Sequence, residues 1–275
     1  MFLSGIFPLS QRFPRLTFTS LAAAWWKAVR ETRRSRVNPI SATNARRAPR
    51  KADRSARANV HRYPDDLVIV TKIGARRGAD GSWIPAISPQ NVTRAVHDNL
   101  RNLGLVALDV VNYRSMLGHL DPSEGSIEAP LTALAELQRK GLVRHIGLST
   151  VTPAQIAQGR RICAIACVQN HYNLARRTDD VMIDELARDG IAYVPYFSLG
   201  GFTPLQSSTL SEVAARLGAT PMQVALAWLL RRAPNILAIP GTASLAHLRE
   251  NLAAAELELP EDAVAELDRI AGPRG

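Results

Sequence analysis

The sequence is poor in the residues that cross-link small domains or bind metals. It contains 2 cysteines and 6 histidines among 275 residues, too few cysteines for a disulfide framework. Cys163 and Cys167 lie four residues apart in a predicted strand, where a disulfide is unfavourable, so we expect a reduced, buried pair. The histidines show neither an HExxH motif nor a paired ligand spacing, and no metal site is predicted. No apolar run approaches the ~18 residues that span a bilayer, so no membrane partner is predicted.

The positive charge is confined to the N-terminal segment. Residues 1–62 hold 14 Lys and Arg against two acids, a net charge of +12, whereas the rest of the chain carries −2. This segment has three interpretations: an Arg-rich targeting sequence, a basic arm that touches RNA or anionic lipid, or out-of-frame translation of GC-rich DNA. Because the remainder is near neutral, no nucleic-acid partner is expected. We predict a basic, irregular or disordered segment over 1–62 and one domain over 63–275.

Six short apolar runs follow, and each precedes a predicted helix. They are LVIVTK (67–72), ALDVVN (107–112), VRHIGLS (143–149), CAIACVQ (163–169), IAYVPY (191–196) and NILAIP (235–240). Runs that are apolar on both faces and alternate with helices predict a parallel α/β sheet. A closed barrel of this kind needs eight such units, so two should precede Leu67. Their loss would expose the edges of the third and eighth strands and predicts poor solubility.

The helices are marked by a hydroxyl residue followed by proline. Ser88-Pro89, Thr152-Pro153 and Thr220-Pro221 each place a capping side chain before a first-turn proline. Further helices are predicted near 126–138, 180–189, 209–217, 244–253 and 260–271. The GxGxxG and GxxxxGK[ST] fingerprints are absent, so neither a Rossmann fold nor a P-loop is supported.

Polar residues stand at the carboxyl ends of the predicted strands, where parallel barrels carry their chemistry. Lys72 either extends to solvent at the rim or meets a ligand or a neighbour whose pKa it lowers. Arg114 either binds a ligand or bridges to an acid in the 121–128 loop. The pairs Ser149-Thr150 and Gln169-Asn170 offer hydroxyl and amide groups that suit recognition of a planar amide such as nicotinamide.

Three further positions have one functional and one structural interpretation each. Thr150, beside Ser149, either joins the amide site or caps the following helix. Tyr196 either stacks on a flat cofactor ring or belongs to the core. Gly241 and Thr242 precede a helix whose N-terminus could bind phosphate.

Five segments after Tyr63 occur in a characteristic order: VTKIG, GLST, VQNHYN, PYFSLGG and IPGTASLAHLRENLAA. In order and spacing they resemble the aldo/keto reductase family. The segment RYPDDLVIVTKIGARRGADGSW is closest to a bacterial branch that includes pyridoxal reductases. The resemblance implies a (β/α)8 TIM barrel, here incomplete with six recognisable strand–helix units. It also implies hydride transfer from NADPH to an aldehyde or ketone without metal.

The resemblance further implies a catalytic aspartate, tyrosine, lysine and histidine, with the tyrosine as general acid. Lys72 matches the lysine. The spacing from Asp109 puts the histidine position at Arg114 or, as the alternative, at Asn112. The aspartate and tyrosine belong to a DTA…Y or DTS…Y segment, but no such segment and no tyrosine occur before Tyr63. We therefore expect weak or no turnover, since losing a general acid costs roughly 10²- to 10⁴-fold in rate.

By the same resemblance the cofactor is NADP(H). The residues implied for the carboxamide, the nicotinamide ring and the pyrophosphate are Ser149, Thr150, Gln169, Tyr196, Leu199 and Gly200. Those implied for the adenosine end are Gly241, Thr242, His247, Glu250 and Asn251. The family commonly has asparagine at 150, lysine at 241 and arginine at 247. The missing positive charge argues against a strict preference for NADP.

Taken together, these features predict a cytoplasmic, NADP(H)-dependent oxidoreductase that reduces small aldehydes or ketones, with pyridoxal as one candidate. Turnover would require another proton donor, for which Tyr63 and Tyr113 are the candidates. The alternative is a catalytically inactive barrel that binds NADP(H) or a protein. A third hypothesis is an interaction protein that uses its basic arm on nucleic acid. The oligomeric state is not predicted.

Overall fold

The computed structural model describes residues 6–7, 67–118, 120–201 and 205–271. The predicted N-terminal segment and its boundary at residue 62 therefore lie outside the described residues, except for a two-residue strand at 6–7. Tyr63 lies outside them as well. Contacts divide the chain into two compact units, and among the described residues from 67 onward the boundary between them falls between Asn170 and His171.

The described elements alternate between strand and helix for most of the chain. The strands are β1 (Ile6–Phe7), β2 (Val68–Ile73), β3 (Ala75–Arg77), β4 (Trp83–Pro85), β5 (Leu108–Arg114), β6 (Val143–Ser149), β7 (Ile165–Gln169) and β8 (Ala192–Tyr193). The helices are α1 (Pro89–Leu103), α2 (Glu128–Arg139), α3 (Pro153–Ile162), α4 (Asp180–Arg188), α5 (Ser208–Arg216), α6 (Pro221–Arg232), α7 (Leu245–Ala253) and α8 (Glu261–Asp268), with a 3-10 turn at Ala254–Glu256.

The first unit is built on strands that lie side by side in the order β1, β2, β5, β6, β7. β2, β5, β6 and β7 run parallel, with Lys72 opposite Asn112 and Ser149 opposite Gln169. β1 is antiparallel and pairs with the start of β2, so part of the edge that was expected to be exposed has a partner. The helices α1, α2 and α3 each bury apolar side chains. Strands of a parallel sheet that is covered by such helices are buried on both faces, and their sequences are therefore continuous apolar runs.

The three helix starts predicted from hydroxyl-proline pairs are confirmed. The hydroxyl of Ser88 accepts the Asn91 N–H at 3.2 Å at the start of α1. Thr152 and Thr220 each form a reciprocal capping box with the glutamine three residues later. The proline in each first turn costs nothing, because its missing N–H would have no intrahelical partner.

In the second unit the last two predicted strands are much shorter than expected. β8 covers two residues, and the run 235–240 contributes a single parallel bridge between Tyr193 and Ile236. The Tyr193 N–H donates to Asn235 O at 2.8 Å, and the Leu237 N–H donates to Tyr193 O at 2.9 Å. The next donor from this strand would be residue 195, a proline without an N–H, so the ladder ends there.

A buried ion-pair network holds the second unit together at the start of α4. The Asp180 carboxylate accepts from the Tyr172 hydroxyl at 2.5 Å and from Arg177 and Arg232 at 3.1 Å each. Burial alone would raise the pKa of Asp180, but these hydrogen bonds and the two guanidinium charges hold it below its ordinary value. The network joins α4 to α6, which carries the fully buried Trp228.

Two expectations about composition are also answered by the described residues. Cys163 does not share a strand with Cys167: it ends α3, where its N–H donates to Gly159 O, and β7 begins at Ile165. Both thiols are free, but only Cys167 is buried, so the expectation of a reduced pair is confirmed and that of a buried pair holds for Cys167 alone.

None of the described helices alone has the length and apolar character to cross a membrane. The helices α5 and α6 meet that test only together, with a bend of 93° between them.

Candidate active site

Two rows of side chains cross the sheet of the first unit at the carboxyl ends of its strands. The inner row is Lys72, Asn112, Gly147 and Cys167, which lie opposite one another on β2, β5, β6 and β7. The outer row is Arg114, Ser149 and Gln169, two residues further along each strand. Since alternate residues of a strand face the same side, both rows point to one face of the sheet.

Gly147 makes room for the inner row. A Cβ there would lie 2.0 Å from Asn112 Oδ1 and 2.5 Å from Cys167 Sγ, so any side chain would displace both neighbours. In the space that glycine leaves, the Cys167 thiol donates to Asn112 Oδ1 at 3.1 Å, and Asn112 Nδ2 donates to Gln169 Oε1 at 3.3 Å. This relay joins the two rows and leaves the amide nitrogen of Gln169 as a donor.

Lys72 stands at the end of the inner row on β2. Burial, and next the nearby Arg114 guanidinium, lower the pKa of Lys72 to about 7, while Cys167 opposes the change. Burial also raises the pKa of the Cys167 thiol to about 12, so the thiol stays protonated at neutral pH. A lysine with such a pKa exchanges its proton near neutrality, in contrast to one that extends into solvent at a barrel rim.

Arg114 is accompanied by an aromatic ring from the hairpin of β3 and β4. Its guanidinium carbon lies 5.8 Å from the centre of the Trp83 ring, and that of Arg77 lies 3.6 Å from the same ring. A guanidinium over an indole is attracted to its negative face. The hairpin thus supports a fixed positive charge beside Lys72, which a histidine at position 114 would not guarantee.

The three side chains predicted for a carboxamide each bury a polar atom without a partner. Ser149 Oγ, Thr150 Oγ1 and Gln169 Nε2 have no hydrogen-bond partner within the described part of the chain, although all three residues are 0–1% exposed. An unsatisfied buried donor costs about 1–3 kcal/mol, so such groups need an explanation. A nicotinamide carboxamide offers both an acceptor oxygen and a donor NH2, and therefore fits this set.

Thr150 adopts a backbone conformation that is rare for its residue type. Its φ is 59°, in the left-handed region that a β-branched residue avoids and asparagine tolerates. The backbone is held there because Thr150 N–H donates to Gln169 O at 3.0 Å and Thr150 O accepts from Ser115 Oγ at 2.5 Å. Thr152, and not Thr150, caps α3, so the helix-capping interpretation of Thr150 is wrong.

Asn170, adjacent to Gln169, has a structural task. Its side chain accepts the Val151 N–H at 3.0 Å and donates to Val151 O at 2.9 Å. This two-bond clamp holds the loop after β6 against the end of β7. The two amides therefore differ: Asn170 fixes the backbone, whereas Gln169 Nε2 has no hydrogen-bond partner within the described part of the chain.

In the second unit, Tyr196 belongs to a cluster of rings after β8. Its ring centre lies 5.5 Å from that of His171 with 22° between the planes, and 5.4 Å from that of Phe197. Leu199 and Gly200 follow in a compact turn, in which the Gly200 N–H donates to Phe197 O at 3.0 Å. Tyr196, Leu199 and Gly200 are all half-buried, as residues lining a ligand site would be.

The residues predicted for the adenosine end lie at the start of α7 and along one of its faces. The Thr242 hydroxyl accepts the Ser244 N–H at 3.0 Å, and Ser244 caps the helix. His247, Glu250 and Asn251 follow at helical spacing on one face, and α7 has no buried residue. Gly241 is exposed, with nothing within 4 Å of a Cβ built there.

Tyr113 is not placed to replace the missing acid. It lies between Asn112 and Arg114 in β5, so its side chain faces the opposite side of the sheet from both rows. It is fully buried, and burial raises the pKa of its hydroxyl well above the ordinary value. The suggestion that Tyr113 could donate the proton is therefore wrong, and Tyr63 is not among the described residues.

Sequence reasoning named Asn112 as the alternative to Arg114 but missed three other residues that build these sites. Cys167 stands two residues before Gln169, and strand alternation could have placed it in the inner row. Gly147 interrupts the apolar run of β6, which often marks a close approach of side chains. His171 carried no such signal. Within the described ranges no three His, Cys, Asp or Glu residues come together as a metal site would require.

Comparison with known proteins places these sites in a family context. The model of the aldo/keto reductase family matches residues 52–271. Pyridoxine 4-dehydrogenase of Escherichia coli is 66% identical over 223 residues, which cover 81% of this chain and 78% of that protein. A thermostable aldo-keto reductase crystallised with the inhibitor epalrestat has a TM-score of 0.66 at 29% identity, covering 79% and 77% of the two chains. An aldo-keto reductase of Klebsiella pneumoniae, crystallised with NADPH, has a TM-score of 0.66 at 24% identity, covering 81% and 76%. These likenesses confirm the predicted fold class, an α/β barrel of aldo/keto reductase type.

Proposed function

This chain belongs to the aldo/keto reductase family, a family of oxidoreductases, and we propose that it binds NADP(H) and interconverts a carbonyl compound and its alcohol. The observation that carries the proposal is the set of buried, unpartnered polar atoms on Ser149, Thr150 and Gln169. Pyridoxal is the first substrate to test, because the relative with 66% identity is a pyridoxine 4-dehydrogenase.

The first unit would hold the carboxamide of the nicotinamide. The relay from Cys167 through Asn112 occupies Gln169 Oε1, so Gln169 Nε2 would donate to the carboxamide oxygen. The Ser149 hydroxyl can donate or accept and would complete the amide pattern. When bound, the nicotinamide supplies or accepts the hydride.

Lys72 and Arg114 would act on the substrate carbonyl. Their two positive groups stabilise negative charge on the carbonyl oxygen as the hydride arrives. At a pKa of about 7, Lys72 can also carry a proton to or from that oxygen. Arg114 keeps its charge throughout and would orient the carbonyl in place of the family's histidine.

We take the remaining cofactor contacts from the family resemblance alone. Tyr196 would stack on the nicotinamide, and Leu199 with Gly200 would line the pyrophosphate. The adenosine would meet Gly241, Thr242, His247, Glu250 and Asn251. Gly241 and the exposed His247 provide no permanent cation, so we propose that NADP and NAD are bound with similar affinity.

A second candidate function is cofactor binding without turnover. The tyrosines at 172 and 193 donate their hydroxyls to Asp180 and Asp179 at 2.5 and 2.8 Å, and Tyr113 faces away from Lys72. Each of these three described tyrosines is thus either engaged by a carboxylate or directed away from Lys72. This favours a protein that binds NADP(H) but oxidises or reduces it slowly. The turnover rate would be about 10²- to 10⁴-fold lower than that of a site with its general acid.

Binding and turnover can be tested separately on the full chain. NADPH binding is followed by the quenching of protein fluorescence, and turnover by NADPH oxidation with pyridoxal. We expect Gln169→Leu to weaken NADPH binding about tenfold or more, since it removes a buried hydrogen-bond donor. Gln138→Leu, the same change at a half-buried glutamine of α2 that donates to Arg144 O, should leave NADPH binding unchanged. Equal binding by wild type and Gln169→Leu would refute the carboxamide site, whereas binding without oxidation would favour the second candidate.

A further inference from the structure

The second unit contains a three-ring cluster of His171, Tyr196 and Phe197. The His171 imidazole lies nearly parallel to the Tyr196 ring, with centroids 5.5 Å apart and 22° between the planes. Phe197 meets both rings edge-on, at 5.2 Å and 80° to His171 and at 5.4 Å and 82° to Tyr196. Offset-parallel and edge-to-face arrangements are those that aromatic pairs prefer.

The cluster is held by the backbone as well as by the rings. His171 and Tyr196 form a parallel bridge, which keeps their side chains adjacent. Asn173 Nδ2 donates to Phe197 O at 2.9 Å, and Phe197 adopts a left-handed φ of 56°. A Cβ on Gly201 would lie 2.8 Å from the Phe197 ring, so glycine lets the turn close against that ring.

We propose that His171 is a positioning residue that sets the plane of the Tyr196 ring before the cofactor binds. This inference rests on the proposed function, in which the nicotinamide stacks on Tyr196. An imidazole against one face of the phenol restricts rotation of the tyrosine side chain. The nicotinamide then stacks on a ring whose orientation is already fixed. The binding free energy is therefore not reduced by the entropy lost in ordering that side chain.

The expected effect is confined to the nicotinamide end of the cofactor. Loss of the stacking partner should weaken NADPH binding about three- to tenfold, the range that corresponds to one aromatic pair or one ordered side chain. The affinity for a ligand that lacks the nicotinamide but keeps the adenosine, the pyrophosphate and the 2′-phosphate should be unaffected. If His171 had a general structural role, its replacement would lower the affinity for both ligands together.

The test compares NADPH with 2′-phospho-ADP-ribose on the full chain by calorimetry. His171→Ala should lose about three- to tenfold in affinity for NADPH and nothing for 2′-phospho-ADP-ribose. His171→Phe keeps a flat ring and should restore NADPH affinity to within about twofold of wild type. His97→Ala, at an exposed histidine of α1, is the matched control and should change neither affinity.

A second readout needs no cofactor. The chain is labelled with 3-fluorotyrosine, and the Tyr196 resonance is identified by its loss in Tyr196→Phe. His171→Ala should shift that ¹⁹F resonance in the free protein because the ring current of the imidazole is removed. An unchanged resonance would refute the stacked geometry itself, whatever the protein binds.

The remaining outcomes separate the possible errors. Equal losses for both ligands would show a structural role and overturn the inference. Tighter NADPH binding by His171→Ala would also overturn it, because the imidazole would then occupy the place of the nicotinamide. Failure of wild type to bind either ligand would overturn the proposed function, and the positioning role with it. Binding of 2′-phospho-ADP-ribose as tight as that of NADPH would show that no ring stacks on Tyr196.

Discussion

Replacing Lys72 by methionine should stabilise the protein most at neutral pH and progressively less as the pH rises. In the folded chain the pKa of Lys72 falls from its ordinary 10.5 to about 7, chiefly through burial. Between pH 7 and pH 10.5, Lys72 keeps its proton in the unfolded chain but has released it in the folded chain. The free energy of unfolding therefore rises with pH in this window. Since each tenfold change in proton affinity corresponds to ~1.4 kcal/mol, the cost of keeping Lys72 charged is at most about 5 kcal/mol. Methionine has a similar length and no charge, and removes this cost.

The assay is urea unfolding of both proteins from pH 7 to pH 10. The wild type should gain several kcal/mol relative to Lys72→Met across this window, because contributions of other titrating groups cancel in the difference. Lys140→Met is the matched control, since Lys140 is exposed at the end of α2 and its replacement should change the free energy of unfolding by less than about 0.5 kcal/mol. Parallel stability curves for wild type and Lys72→Met would show that Lys72 is not held in a desolvating site, and would refute its proposed role in proton transfer.

Three further substitutions test separate parts of the structure. Gly147→Ala should destabilise the protein by about 3–5 kcal/mol in urea unfolding, because the new methyl displaces Asn112 and Cys167 and breaks two hydrogen bonds. The control Gly241→Ala has open space around the new methyl and should cost less than about 0.5 kcal/mol. Equal losses of stability in the two variants would contradict the packing of the inner row. Thr150→Asn should raise the free energy of unfolding by about 1 kcal/mol, since asparagine tolerates a φ of 59°, and a loss of stability would mean that the threonine side chain has a packing role. Gly241→Lys should raise the affinity for NADPH relative to NADH about two- to fivefold by adding a cation near the 2′-phosphate, and an unchanged ratio would place the adenosine elsewhere.

Local signals in the sequence were sufficient for the secondary structure of most of the chain. The capping residues Ser88, Thr152 and Thr220 start their helices as predicted, because a cap depends on hydrogen bonds within four residues. The strand predictions failed where the pattern of hydrogen bonds between strands mattered. The run 191–196 was apolar enough for a strand, but Pro195 lacks the donor that the pairing with 235–240 required.

The sequence by itself also identified the family and most of the candidate ligand-binding residues, because motif order and strand ends are linear features. Only the tertiary structure could show that Asn112, Gly147 and Cys167 form one row with Lys72, since register between strands sets which residues face one another. The same holds for the unpartnered atoms of Ser149 and Gln169 and for the stacking of His171 on Tyr196. These properties arise from burial and contact between segments that are distant in the chain, and burial is what moves the pKa of Lys72 into the physiological range.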